Sequence, residues 1–148
     1  MAEVAIHATS DAELRRILTE ARTIAVLGIK SGERDDAYRV PLYLQQHGYR
    51  ILPVSPKLEH VLGERVYPSL AALPEPVDVL NVFRAPQHLP QHVDEILALA
   101  HLPKVVWLQL GIRHDAAAAR LAAAGIRVVQ DRCMLVDHRR LVGARPGV

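Results

Sequence analysis

The chain has 148 residues, half of them apolar and 23% charged, with a formal net charge of +2. That length suits one domain with a real core, and a single domain over residues 1–148 is expected. The composition excludes a disordered chain, and so small a charge argues against a broad nucleic-acid surface.

A lone cysteine, Cys133, rules out an internal disulfide and suits a reducing compartment. The N-terminal run MAEVAIHATSDAELRR has no basic start followed by an apolar stretch, so it does not read as a secretory signal. The longest apolar runs fall far short of the ~20 residues of a membrane span. The expectation is a cytoplasmic protein with no membrane association.

In chain order, Ser10 and Glu13 have capping-box spacing, and Leu14, Ile17, Leu18 and Ala21 then form one helical face. Residues 23–27 are a short apolar run stopped by Gly28, a first strand. Residues 38–47 read as a helix with Pro41 in its first turn and Gly48 as its stop. Residues 50–54 are a second strand. A prolonged connection over 57–76 follows, with a helical turn near 69–73. Residues 77–83 are a third strand.

Pro90 starts a helix with Val93, Ile96, Leu97 and Ala100 on one face, and Pro103 ends it. Residues 104–110 are a fourth strand, 115–124 an alanine-rich helix closed by Gly125, and 126–129 a fifth strand. The tail over 131–141 is mixed. The strands are short and nearly all apolar rather than alternating, the mark of strands buried on both faces of a parallel sheet. The expected fold is a three-layer, Rossmann-like, doubly wound α/β domain with five strands in the order 3-2-1-4-5. Ligands in such sheets lie beyond the C-terminal strand ends, here near the switch between strands 1 and 4.

The loops at that edge carry the chemistry. The first, Gly28-Ile29-Lys30-Ser31-Gly32, is neither the G-x-G-x-x-G of dinucleotide binding nor a P-loop. By itself Gly28 reads equally as a plain strand end and as a glycine that lets a phosphate approach the backbone. After the second strand, NAD-binding units carry an acid for the ribose hydroxyls. This chain has Val54-Ser55-Pro56-Lys57. A lysine attracts a ribose phosphate, which leaves NADP or coenzyme A (CoA), while Lys57 alone reads more readily as a solvated turn residue. The third strand runs into Phe83-Arg84-Ala85-Pro86, and an arginine at a strand end can pair with a pyrophosphate. The fourth runs through Trp107, a core residue by its setting, into Leu108-Gln109-Leu110-Gly111.

Taken together, "TIAVLGIKSGERDDAYRVPLYLQQHGYRILPVSPK", "VLGERVYPSL", "PEPVDVLNVFRAP", "VVWLQLGIR" and "AAGIRVVQDRCMLVDHRRL" resemble, in the same order, the small stand-alone CoA-binding proteins of bacteria and archaea. That family is similar to the N-terminal domain of the succinyl-CoA synthetase alpha subunit. The resemblance implies CoA binding at the C-terminal edge of the sheet. It implies that Gly28, Ile29, Lys30 and Ser31 cradle the CoA phosphates. Lys57 would meet a phosphate of the nucleotide end, with Val54 and Ser55 beside it among the cofactor-binding residues. Phe83, Arg84 and Pro86 would flank the pocket, and Leu108, Gln109 and Leu110 would run beside the ligand. Arg39 belongs to the family's "YRVP" run and is placed at the pocket. Lys30 stands where relatives often have a small residue, and Ser55 where many have asparagine.

No catalytic residue is implied. Three hypotheses are weighed: a CoA-binding carrier, sensor or partner subunit without chemistry of its own; an NADP-dependent oxidoreductase; and an enzyme on acyl-CoA. The second lacks the glycine fingerprint and an acid–base pair, and the third lacks a nucleophile–base pair among the pocket loops. The expected ligand is CoA or an acyl-CoA, with a homo-oligomer or a partner subunit left open. His88 and His92, spaced i, i+4 with no third ligand nearby, read as surface histidines rather than a metal site. Cys133 reads as a partly buried structural cysteine, and Asp137-His138-Arg139-Arg140 as a solvated tail or subunit contact.

Overall fold

A computed structural model describes residues 8–143. Helix α1 (Asp11–Glu20) starts at Ser10, whose Oγ accepts the Glu13 amide at 3.2 Å, and it buries Leu14, Ile17 and Leu18. Strand β1 (Thr23–Leu27) follows, then α2 (Asp36–Gln46) and β2 (Arg50–Val54). Helix α2 begins two residues before the expected start, with Pro41 inside it.

The long connection contains a two-residue hairpin, β3 (His60–Val61) and β4 (Glu64–Arg65). Its turn residues Leu62 and Gly63 both have positive φ, which is the geometry of a tight hairpin turn. A 3-10 turn at Leu70–Ala72 falls inside the expected helical turn. Strand β5 (Val79–Val82), a 3-10 turn at Pro86–His88 and α3 (Leu89–Leu97) come next. Then follow β6 (Val105–Leu108), α4 (Asp115–Ala123), β7 (Arg127–Val129) and α5 (Met134–Leu141).

The five long strands form one parallel sheet in the order β2-β1-β5-β6-β7. Counted among themselves, that order is 2-1-3-4-5. The fold class is the expected Rossmann-like one, and the strand order is corrected: the third strand lies beside the first, not outside the second. The outer edge of β2 is already occupied. The Tyr67 amide donates to Pro53 O at 2.9 Å, and the Ser55 amide donates to Tyr67 O at 3.0 Å. The start of β5 is meanwhile fastened to β1. The Asp78 carboxylate accepts from the Arg22 amide at 2.9 Å and the Thr23 amide at 3.2 Å. The switch point therefore falls between β1 and β5 rather than between the first and fourth strands.

Each face of the sheet carries a core. On one, Ile24, Val26, Val79, Val105 and Trp107 pack with Leu14 and Leu18 of α1, Leu44 of α2 and Met134 of α5. On the other, Leu27, Val54, Val82 and Leu108 pack with Leu89, Val93 and Ile96 of α3 and Leu121 of α4. The alternation along each strand sends successive side chains to opposite cores, so both must be apolar. The run Asp137-His138-Arg139-Arg140 is solvated only in its second half, where Arg139 and Arg140 are exposed. Helix α5 buries Asp137 and His138, because Arg132 and Arg140 both bond the Asp137 carboxylate and Tyr43 Oη lies 2.8 Å from His138 Nδ1.

Candidate functional site

Register decides which loops meet. Leu27 at the end of β1 is level with Val54 of β2 and Val82 of β5. The loops that begin at Gly28, Ser55 and Phe83 therefore leave the sheet side by side. They open a cleft of about 460 Å³, completed by residues 68–70 and by Gln91, His92 and Glu95.

Of the residues singled out in the sequence, Gly28, Ile29, Lys30, Val54, Ser55, Lys57 and Arg84 line this cleft. Ser31 is exposed on the same first loop. The rest lie elsewhere. Arg39 is on the exposed side of α2, bonded to Asp36 Oδ1 at 2.6 Å. Phe83 is half-buried and packs toward the α1/α2/α5 core. Pro86 opens the 3-10 turn before α3. Leu108 is buried in the α3/α4 core. Gln109 is buried, its Oε1 3.4 Å from both Asn81 Nδ2 and the Met134 amide. Leu110, just past β6, is 65% exposed.

Within the first loop the amides divide. Gly28 N–H donates to Val54 O at 3.0 Å and Lys30 N–H to Ala37 O at 3.2 Å, so both are engaged inside the protein. The Ile29 and Ser31 amides have no such bond among the described residues. The loop runs over residues 28–35 before α2 begins, and α2 opens on Asp35 and Asp36. Two carboxylates at a helix N-terminus disfavour an anion there.

Ser55 shapes the second loop. Its buried Oγ accepts the Lys57 amide at 3.1 Å, a serine turn that lifts Lys57 off the end of β2. Lys30 and Lys57 are exposed, and neither they nor Arg84 form an ion pair among the described residues. The sequence reading missed Pro68, Ser69 and Leu70, which reach the cleft because the Tyr67 strand pairing carries them there. It also missed His92 and Glu95. His92 is not a surface histidine: its side chain is 12% exposed and sits between Arg84 and Glu95. The i, i+3 spacing of His92 and Glu95 on one helix was the available signal.

A second cleft, of about 480 Å³, lies at the opposite end of the sheet against the starts of β5, β6 and β7. Its charges are matched internally: Glu13 with Arg127, Arg16 with Glu20, and Lys104 with Asp78. Among the described residues, such a lining offers no unmatched cation to a polyanion, whereas the C-terminal-edge cleft offers three against the single carboxylate of Glu95. Among the described residues no cluster of three metal-ligating side chains occurs, and no helix is long and apolar enough to cross a membrane.

The sheet order and the loops gathered at the ends of β1, β2 and β5 define a Rossmann-like α/β protein. The chain belongs to the CoA binding domain family, which matches residues 22–139. It is 33% identical over 129 residues to YneT of Bacillus subtilis (strain 168), covering 87% of this chain and 94% of that protein. A solved structure from Thermus thermophilus, cell-free ID.343, is 49% identical, with a TM-score of 0.85, over 90% of this chain and 99% of that one. A hypothetical protein from Pyrococcus horikoshii OT3 is 34% identical, with a TM-score of 0.82, over 97% of this chain and all of that one (100%).

Proposed function

We propose that this chain binds coenzyme A, free or as an acyl thioester, in the cleft at the C-terminal edge of its sheet, as a binding module or sensor without chemistry of its own. The observation that carries the reading is the set of three cations, Lys30, Lys57 and Arg84, that line one cleft with no ion-pair partner among the described residues. Membership of a CoA-binding family supplies the ligand class.

In this reading the Ile29 and Ser31 amides and Arg84 take the pyrophosphate, and Lys57 takes the ribose phosphate. Apolar surface from Pro56, Pro68 and Leu70 faces the adenine. The pantetheine arm leaves toward the end of β6, where Leu110 presents exposed apolar surface. Lys57 by itself fits NADP as well as CoA, since both carry a ribose phosphate. The family favours CoA, and titration separates the two.

Calorimetric titration of the purified protein with CoA, dephospho-CoA and NADP tests the reading. CoA is expected to bind, and dephospho-CoA to bind more weakly by about 1–3 kcal/mol, the scale of a charge-assisted hydrogen bond. Lys57→Ala removes that difference. Binding of NADP without binding of CoA overturns the assignment and points to hydride-transfer chemistry.

A further inference from the structure

Arg84 leaves β5 at the switch point and is half-buried. Its Nε donates to His92 Nε2 at 3.3 Å, and His92 Nδ1 stands 2.5 Å from Glu95 Oε1. An arginine has donors only. The Nε2 atom that faces it must therefore carry the lone pair, and the ring proton sits on Nδ1, donated to the Glu95 carboxylate. The two contacts together hold a neutral imidazole in one tautomer.

The arginine is thus gripped at Nε, while its Nη groups make no hydrogen bond or ion pair among the described residues. The outer edge of the guanidinium is left for a bidentate oxyanion. The position of Arg84 says which one. A Cβ built on Gly28 would lie 3.0 Å from Arg84 Cδ, so the side chain crosses the first loop, apart from Lys57 at the end of β2.

We infer that His92 and Glu95 are positioning residues: Glu95 fixes the tautomer of His92, and His92 aims Arg84 at the ligand's pyrophosphate. The inference rests on the CoA reading above. A long side chain clamped at Nε before the ligand arrives has less freedom to lose on binding.

Titration with CoA tests this on wild type, Arg84→Ala, His92→Gln, His92→Phe and Glu95→Gln. Arg84→Ala is expected to weaken CoA by about tenfold or more, the size of a charge-assisted contact. It should weaken dephospho-CoA by the same factor, whereas the Lys57→Ala penalty vanishes with dephospho-CoA. His92→Phe should lose most of the Arg84 contribution. His92→Gln, whose amide oxygen can still accept from Nε, should keep it. Glu95→Gln can donate to Nδ1 and move the ring proton to Nε2, so it should resemble His92→Phe. The ¹⁵N spectrum of the ligand-free protein should show His92 with its proton on Nδ1. CoA binding unchanged in Arg84→Ala or in His92→Phe, or a proton on Nε2, overturns the inference and leaves the CoA reading standing. Folded wild-type protein that ignores CoA overturns both.

Discussion

A side-chain carbon at Gly28 would stand 2.7 Å from the carbonyl oxygen of Phe83, on a backbone whose φ is +86°. Both facts are internal to the protein. The glycine lets the loops after β1 and β5 cross at the switch point, whatever binds there. Gly28→Ala should lower stability in urea by about 1–3 kcal/mol, the cost of a side chain forced into that region of the backbone, before any ligand is added. A fully stable Gly28→Ala would show that the crossing relaxes easily, and any lost CoA affinity would then belong to the ligand contact alone.

Asp78 should give the fold a sensitivity to acid. Burial alone would raise its pKa. The amides of Arg22 and Thr23, the nearby Lys104 and the Thr23 hydroxyl outweigh it and hold the carboxyl below its ordinary value of 3.8. A carboxylate depressed on folding stabilises the native state fully above its unfolded pKa. That contribution is lost as the pH falls through the folded value. Asp78→Asn should therefore be less stable than wild type at neutral pH, and the gap should close below about pH 4. Denaturation curves at both pH values check it. A gap that stays constant would mean that the amide satisfies the two backbone donors equally well.

Much of this architecture can be read in the sequence, and the reason is burial. Strands such as Thr23–Leu27 and Val105–Leu108 face a core on each side, so their buried positions are apolar and they stand out against the helices. The Ser10 cap of α1 is a local signal and reads directly. Strand order is not local. It turns on Tyr67 pairing with β2 and on Asp78 binding the start of β1, both contacts between segments far apart in the chain. The cleft residues Lys30, Lys57 and Arg84 were legible because strand ends fix where loops go. His92 was not, because its partner Arg84 lies on a different element and only the packing of α3 brings them together. Asp137 and His138 looked solvated for the same reason: their charge and hydrogen-bond partners come from neighbouring elements.

Asp137 should be a strong stability determinant. It is 2% exposed, accepts from Arg132 at 2.6 and 2.9 Å, and accepts from Arg140 at 3.2 Å. Arg140 in turn binds Asp11 through two contacts of 2.9 Å, which fastens α5 to the first turn of α1. Asp137→Ala leaves Arg132 without its partner and frees that corner. Removing one member of a buried pair costs about 3–5 kcal/mol. The partial exposure of Arg132 reduces the expectation here to about 2–4 kcal/mol by urea denaturation. A loss below about 0.5 kcal/mol, the scale of an exposed pair, would place this network with surface salt bridges.

Asn81 offers the sharpest test of the packing beside the switch point. It is fully buried on β5, and its Nδ2 lies 3.2 Å from Trp107 O and 3.4 Å from Gln109 Oε1. Both neighbours are acceptors, so the amide has only one sensible orientation. Its Oδ1 is left buried with no donor among the described residues. Buried acceptors are seldom left unpaired, and a single ordered water is the usual partner. A high-resolution crystal structure should show a water within hydrogen-bond range of Oδ1. Asn81→Asp replaces the donor with an acceptor aimed at two acceptors. It should destabilise the fold by about 3 kcal/mol or more at neutral pH. The loss should lessen in acid, because the buried carboxyl, its pKa raised on folding, protonates and regains a donor. A cost below about 1 kcal/mol with no water in place would mean that the surroundings of residue 81 rearrange to supply donors to the carboxylate.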